Sequence, residues 1–318
     1  MSETAKSVRQ RVLDAIQSGF PLDHDPYGVL AGRLGMTREQ VRGLVASLRE
    51  DGTVRRIGAS FSSRHLGYTS TLCAMTVPGA PSEVDRIAAK VSAHAEVTHN
   101  YLRDGAFNVW FTVIAPSEAA IGRLLDDMRH ETGCEIMSFP ATEVFKIKVD
   151  FSGTADQKPE PVGESSFRAN DANDLALLRK VQGDIGEAAY PFAELGMNEE
   201  QALDRLREWK AEGTIRRFGA FVRHRKMGFA FNGMTVWDVP ECDCQRVGRS
   251  FADFPFVSHC YERPRCEAWP YNLYAMVHGK TKPQLEAHVA SLREASGLSC
   301  EVLVSLKEYK KVSPVYFG

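Results

Sequence analysis

Two short stretches of the 318-residue chain carry the same uncommon set of side chains: Val97-Thr98-His99-Asn100-Tyr101-Leu102-Arg103 and Val257-Ser258-His259-Cys260-Tyr261-Glu262-Arg263. Side chains alternate along an extended strand, so Val97, His99, Tyr101 and Arg103 share one face and Thr98, Asn100 and Leu102 the other. Val257, His259, Tyr261 and Arg263 repeat the pattern. Imidazole takes and gives a proton near neutrality, guanidinium holds carboxylates through paired N–H donors, and a phenol adds a flat ring with a polar tip. That combination suits the binding of an anionic molecule and the delivery of a proton to it. On the strand that follows, Asn108, Trp110 and Thr112 share a face, as do Asn272, Tyr274, Met276 and His278. Burying such a surface costs roughly 1–3 kcal/mol for each unsatisfied polar group, so an internal network or a polar ligand must satisfy it. A single strand histidine is usually structural; the His-Tyr-Arg series occurring twice favours a ligand site.

The repetition extends beyond these strands. Gly52-Thr-Val-Arg55-Arg56-Ile-Gly58-Ala59 returns as Gly213-Thr-Ile-Arg216-Arg217-Phe-Gly219-Ala220, an offset of 213 − 52 = 161. The histidines are 259 − 99 = 160 apart. Cys134-Glu-Ile and Cys300-Glu-Val keep the order at 166, the growth reflecting an insertion around Pro264–Tyr271. Each Arg-Arg pair reads either as solvated charge or interdomain ion pairing, or as one inward arginine suited to bidentate carboxylate recognition.

The elements that must position these residues follow from local pattern. Pro26–Leu34 forms a short helix stopped at Gly35, and Thr37-Arg-Glu-Gln40 is a capping box opening a second helix with Val41, Leu44, Val45 and Leu48 on one face. The second copy repeats this with Gly196, a cap at Asn198, and Ala202, Leu206 and Trp209 facing inward. A Gly-initiated basic strand follows each, completing a winged helix-turn-helix. Then comes β-α-β-β-α-β, a ferredoxin-like order. The expected fold is therefore α+β and duplicated: winged helix-turn-helix 1–66, ferredoxin-like domain 67–151, a linker over 152–170 rich in Pro, Gly, Ser and charge, winged helix-turn-helix 171–227 and ferredoxin-like domain 228–318. The open sheet face of each copy needs a cover, and the other copy supplies it as an intrachain pseudo-dimer.

Composition removes several function classes. The chain is 43% hydrophobic and 25% charged, which is ordinary for a globular protein, and no apolar run reaches membrane-spanning length. The start lacks a signal-peptide pattern, so the cytoplasm is expected. Seven cysteines with no C-x-x-C pair read as reduced thiols; Cys242-x-Cys244 lacks further ligands at zinc spacing. Net charge is −2, without the basic excess of a nucleic-acid binder. Glu199 and Glu200 open the second recognition helix, where a polyanion wants cations, so tight specific DNA binding is disfavoured. No phosphate loop, dinucleotide fingerprint, H-E-x-x-H or G-x-S-x-G is present.

Winged helix-turn-helix plus ferredoxin-like domain is the layout of Lrp/AsnC-type regulators. Within that group the stretches GTVRRIGASF, LGYTSTLCAMTVP and VTHNYLRDGAFNVWFTVIAP, with GTIRRFGAF, MGF and VSHCYERPRCEAWPYNLYAMVHG in the second copy, resemble the siroheme decarboxylases. The likeness covers nearly all of both copies and looks like a single-chain fusion of two subunit types. It implies removal of the carboxyl groups of the C12 and C18 acetates of siroheme, giving 12,18-didecarboxysiroheme and carbon dioxide on a route to haem d1 or haem. It implies no added cofactor, since the iron arrives with the substrate, and no protein metal site. His99 and His259 are then proton donors or carboxylate-positioning groups, with axial contact to the substrate iron another role for one of them. Arg103, Arg263 and the inward members of Arg55-Arg56 and Arg216-Arg217 would hold carboxylates. Tyr101, Tyr261, Trp110 and Tyr274 would line the macrocycle beside Asn108 and Asn272. The second copy departs from the first at Cys260, where the first has Asn100, and in its insertion with Cys266 and Trp269, so the two pockets need not be equivalent. A DNA-binding regulator and a non-catalytic tetrapyrrole sensor are the rival readings, and further homo-oligomerisation stays open.

Overall fold

The computed structural model describes residues 7–147, 172–222 and 231–317. The expected linker and the Met227-Gly228-Phe229 motif lie outside the described residues. The first copy begins with helices α1 (Val8–Ser18), α2 (Pro26–Leu34) and α3 (Arg38–Glu50) and the wing strand β1 (Val54–Phe61). The Thr37 hydroxyl accepts from the Gln40 N–H while the Gln40 side chain accepts from the Thr37 N–H, the reciprocal capping that starts α3. Gly35 ends α2 in the left-handed conformation at φ 66°. The sheet domain continues with β2 (Thr69–Met75), α4 (Pro81–Ala93), β3 (Val97–Arg103), β4 (Val109–Ala115), α5 (Glu118–Thr132), β5 (Met137–Pro140) and β6 (Glu143–Ile147).

The second copy runs α6 (Ala172–Val181), a 3-10 turn (Ala193–Leu195), α7 (Glu199–Ala211), β7 (Ile215–Val222), β8 (Phe231–Trp237), α8 (Glu241–Asp253), β9 (Val257–Glu262), β10 (Leu273–Gly279), α9 (Lys282–Ser296) and β11 (Cys300–Lys311). The helix equivalent to α2 has shrunk to one turn, because Gly196 takes the left-handed conformation five residues after Pro191. Each unit also opens with a helix, α1 or α6, whose buried Val12, Ile16, Leu177 and Leu178 were not singled out by local pattern.

The two helix-turn-helix units share one core, in which Phe20, Leu48, Phe192, Trp209 and Phe218 meet. Their wings pair with each other: β1 and β7 form an antiparallel ribbon centred on Gly58 opposite Gly219. The second arginine and the glycine of each R-R-x-G motif dock that ribbon on the other copy. Arg56 Nη1 donates to the Gly183 carbonyl past the end of α6 (3.0 Å), and Arg217 Nη1 donates to the Gln17 carbonyl in the last turn of α1. A cation on C-terminal carbonyls complements the helix dipole. Glycine is required because the backbones nearly touch. A Cβ at Gly58 would lie 2.3 Å from the Gly183 carbonyl oxygen, and one at Gly219 would lie 2.6 Å from that of Ile16.

The sheet domains are fused. Strand order is β5-β2-β4-β3-β11-β8-β10-β9-β6, so each copy keeps the ferredoxin-like order while its last strand crosses onto the other copy. Residues 300–304 of β11 pair with β8 and residues 305–311 with β3; β5 pairs with β2, and β6 with β9. Since β5 and β6 are separated by only two residues, the pairings close into a ring. Lys310 donates to the Ser92 and His94 carbonyls and Lys146 to those of Ala252 and Phe254, fastening each crossing strand to a helix end. Helices α4 and α5 cover one outer face through Ile87, Val91, Leu125 and Met128; α8 and α9 cover the other through Val247, Phe251, Val289 and Leu292. Between the inner faces lie Trp110, Phe139, Trp269 and Tyr274.

One sequence expectation is corrected here. Val97 does not share a face with His99: register shifts between Val97 and His99, and Val97 packs under the helices with Val113. Val257 likewise sits in the outer core, beside a shift between Met276 and Val277. An irregularity of this kind breaks alternation, which is how it re-aims a side chain.

Gly58→Ala should destabilise the protein by about 1–3 kcal/mol, because the added methyl must displace backbone rather than a flexible side chain. Differential scanning calorimetry would show a lowered Tm; an unchanged Tm would mean that wing and helix end are not in contact.

Candidate active site

His99 and His259 project from equivalent places on β3 and β9, at the end of the double sheet that meets the helix-turn-helix body, where Tyr68 and Ile114 join the shared helical core. Both rings are partly buried and are oriented alike. His99 Nδ1 is 3.0 Å from the Thr98 hydroxyl and His259 Nδ1 is 2.9 Å from the Ser258 hydroxyl, so each ring is held by its neighbour and turns Nε2 away. Tyr101 stacks beside His99 at 6.3 Å and Tyr261 beside His259 at 6.0 Å.

The charges acting on these rings are all cationic. Burial, then Lys311, His259 and Arg55, push His99 down to about 4. Burial, then Lys311, Arg216 and Arg263, do the same to His259. The two imidazoles therefore lie within Coulombic reach of Lys311 in common, and His99 feels the charge of His259. Of the double arginines, Arg55 and Arg216 contribute here. Lys311 was missed from sequence, because it reaches His99 only through the pairing of β11 with β3 across the copies. A doubled lysine on a strand would have been the signal, had its partner strand been known.

Arg103 and Arg263 continue the same faces inward. Arg103 Nη1 donates to the Leu303 carbonyl at 2.9 Å, its guanidinium lies 5.2 Å from the Tyr101 ring, and burial lowers it to about 10. Arg263 Nη1 donates to the Phe139 carbonyl, with its guanidinium 4.8 Å from the Tyr261 ring. Each thereby bonds a carbonyl of the other copy. Nε of each is buried without a hydrogen-bond partner, so two guanidinium charges enter the interior with unspent donors.

Six residues expected at the site have other employment. Arg56 and Arg217 are turned to the helix ends and lie over the Phe221 ring, at 3.4 and 5.1 Å. Asn108 bonds both the N–H and the carbonyl of Val77, and Asn272 does the same to Val239; both amide ends are used in closing a strand end. Trp110 is 1% exposed and donates to the Phe107 carbonyl; Tyr274 is 2% exposed, with its hydroxyl accepting from the Trp269 indole at 3.0 Å. These rings are core, and the second-copy insertion supplies the Trp269 that fills it. Asn100 likewise serves α4, donating to the Ala88 carbonyl and the Ser92 hydroxyl.

No group of three His, Cys, Asp or Glu side chains is arranged to hold a metal among the described residues. Cys244 is buried, accepts from Asn272, and is raised to about 12 by burial, so it is a protonated core thiol. No helix of the described residues is long and apolar enough to cross a membrane. Three arginines of the recognition helices are engaged within the protein. Arg49 forms a two-pronged pair with Asp184 (2.6 and 2.9 Å), Arg205 with Asp174 (3.0 and 2.8 Å), and Arg38 lies over Tyr190 beside Asp25.

Fold and site together define a duplicated chain of the AsnC-like class. The model of the AsnC-like ligand binding domain matches residues 65–146 and 226–310, and that of the siroheme decarboxylase NirDL-like HTH domain matches residues 9–55. A siroheme decarboxylase of Hydrogenobacter thermophilus is 34% identical over 319 residues, spanning 97% of this chain and 94% of that protein. The crystal structure of the siroheme decarboxylase NirDL superposes with a TM-score of 0.73 at 30% identity, over 98% of this chain and 95% of that one. A second NirDL structure, in complex with an iron-uroporphyrin III analogue, gives 0.72 at 31% identity with the same coverage. The chain belongs to the siroheme decarboxylase family.

Both site imidazoles should be neutral in the substrate-free protein at pH 7. The unfolded chain takes up their protons first as pH falls below about 6.5, so their contribution to stability is lost on the way down to about 4. Lys311→Met removes a cation that opposes imidazolium and should raise both midpoints, read by NMR titration of histidine ring signals. Midpoints near 6.5 in the unaltered protein would contradict this electrostatic description.

Proposed function

We propose that the chain decarboxylates siroheme, removing the carboxyl groups of the C12 and C18 acetates to give 12,18-didecarboxysiroheme and carbon dioxide. The observation that carries this reading is the convergence of both copies' histidines on one cationic site. Arg55, Arg216 and Lys311 surround the imidazoles, and Arg103 and Arg263 stand behind them with buried, unpartnered Nε donors. A substrate with eight carboxylates matches such a site in charge. Arg55, Arg216 and Lys311 bind carboxylates; Arg103 and Arg263 add positive potential from within; Tyr101 and Tyr261 offer flat surface to the macrocycle edge.

Each acetate loses carbon dioxide when the C–C electron pair passes to the methylene carbon and is delocalised into the pyrrole. A proton delivered to that carbon leaves a methyl group, so each turnover consumes one proton per carbon dioxide released. His99 and His259 are the groups that can deliver it. Arriving carboxylates offset the cations that hold His99 neutral, and thus raise its proton affinity where and when a proton is needed. The iron enters as part of the substrate, and the reaction draws on no separate cofactor. Specific DNA binding is not part of this function, since Arg49 and Arg205 of the recognition helices are paired internally and Glu199 meets His24 at 2.9 Å.

Anaerobic incubation of the purified protein with siroheme, followed by mass spectrometry, should show loss of two carboxyl groups. A Soret shift without mass loss would instead indicate a tetrapyrrole sensor, and salt-dependent retention of a palindromic operator would indicate a regulator. His99→Ala or His259→Ala should slow turnover by about 10²–10⁴-fold if that ring delivers the proton. Unaltered rates in both would remove the histidines from the chemistry.

A further inference from the structure

The two histidines have different surroundings. Behind His259, the Ser258 hydroxyl lies 2.9 Å from His259 Nδ1 and also 2.7 Å from His278 Nε2, so one hydroxyl bridges two imidazoles. In the first copy Thr98 supplies the hydroxyl beside His99, but the strand position equivalent to His278 is Ile114, whose side chain joins the helical core. His278 is half-buried, so it stands between the site and solvent. It is fixed from two sides: its N–H donates to the Phe256 carbonyl, and its own carbonyl is 2.9 Å from His288 Nδ1.

We infer that Ser258 and His278 form a relay that returns a proton to His259 during turnover, whereas His99 has none. This inference rests on the decarboxylase reading and assigns the two imidazoles unequal parts in it. His259 gives its Nε2 proton to the carbon that has lost carbon dioxide; its Nδ1 takes the Ser258 hydroxyl proton; Ser258 takes the Nε2 proton of a cationic His278. His278 ends neutral; once product leaves, His259 Nε2 takes a proton from water and its Nδ1 proton returns through Ser258 to His278, which restores the starting state. His259 passes from one neutral tautomer to the other and never carries the imidazolium charge that Lys311, Arg216 and Arg263 oppose. Without the relay, the same transfer would leave an imidazolate or demand a cation in a cationic site. Ser258 and His278 are positioning residues, since they act through His259.

The test compares His278→Leu and Ser258→Ala with Ser258→Thr, which keeps the hydroxyl that the first copy uses. Relay loss should lower kcat by about 10²-fold in the first two, with KM for siroheme unchanged within about two-fold, and Ser258→Thr should restore it. Thr98→Ala should not cause a matching loss. Unchanged kcat in His278→Leu, a rise in KM in place of the fall in kcat, or an equal loss in Thr98→Ala would each overturn the relay. Histidine 15N spectra of the substrate-free protein give a readout independent of turnover: Ser258→Ala should shift the His259 and His278 ring signals together, and a shift of His259 alone would overturn the coupling. Unaltered protein that leaves siroheme intact while the spectra show this coupling would overturn the functional reading itself.

Discussion

Positive charge gathered around two half-buried imidazoles is the constraint on which the site depends. Burying a cation without a counter-ion is expensive, and here the penalty is met by structure elsewhere. Arg103 and Arg263 spend one amino group each on a carbonyl of the other copy and lie against tyrosine rings. The wing ribbon that carries Arg55 and Arg216 is held by Arg56 and Arg217, which occupy helix-end carbonyls, and by glycines that let the backbones close. The site thus gathers cations from both copies, and the fold around it holds them in place.

The same arrangement explains how a regulator-like architecture comes to hold a reaction. In this chain Arg49 and Arg205 of the helix-turn-helix pair are drawn into ion pairs with Asp184 and Asp174, and its two wings pair with each other. Fusion of two copies removes the need for the halves to be identical. The insertion around Trp269 fills one end of the inter-sheet space with aromatic rings, while His278 occurs in one copy only. Near-symmetry positions two equivalent histidines, and small departures from it let them differ.

Much of the fold was legible because its signals are local. Capping at Thr37 and Asn198, glycines at helix ends and the repeated β-α-β-β-α-β order are properties of a few neighbouring residues, and the duplication itself is a comparison within one string. The site was less legible. Asn108 and Asn272 look like ligand-binding amides on a polar strand, yet each closes on a backbone segment about 30 residues earlier. Trp110 and Tyr274 look like a surface for a flat ligand, yet the two copies press them into one core. Val97 and Val257 follow strict alternation on paper, but a register shift turns them over.

The amino-acid sequence alone determined that the molecule is two copies of one helix-turn-helix and sheet unit, and that each copy carries an imidazole, a phenol and guanidinium groups on one strand. Those facts depend on residue type and short spacing, which survive without knowledge of the fold. Tertiary structure decided which of them meet. Lys311 faces His99, Arg55 and Arg216 are chosen over their neighbours, and Ser258 touches two imidazoles. Lys311 reaches His99 because β11 leaves its own copy to pair with the other. Juxtapositions made by strands roughly 110–210 residues apart leave no period in the sequence from which to read them.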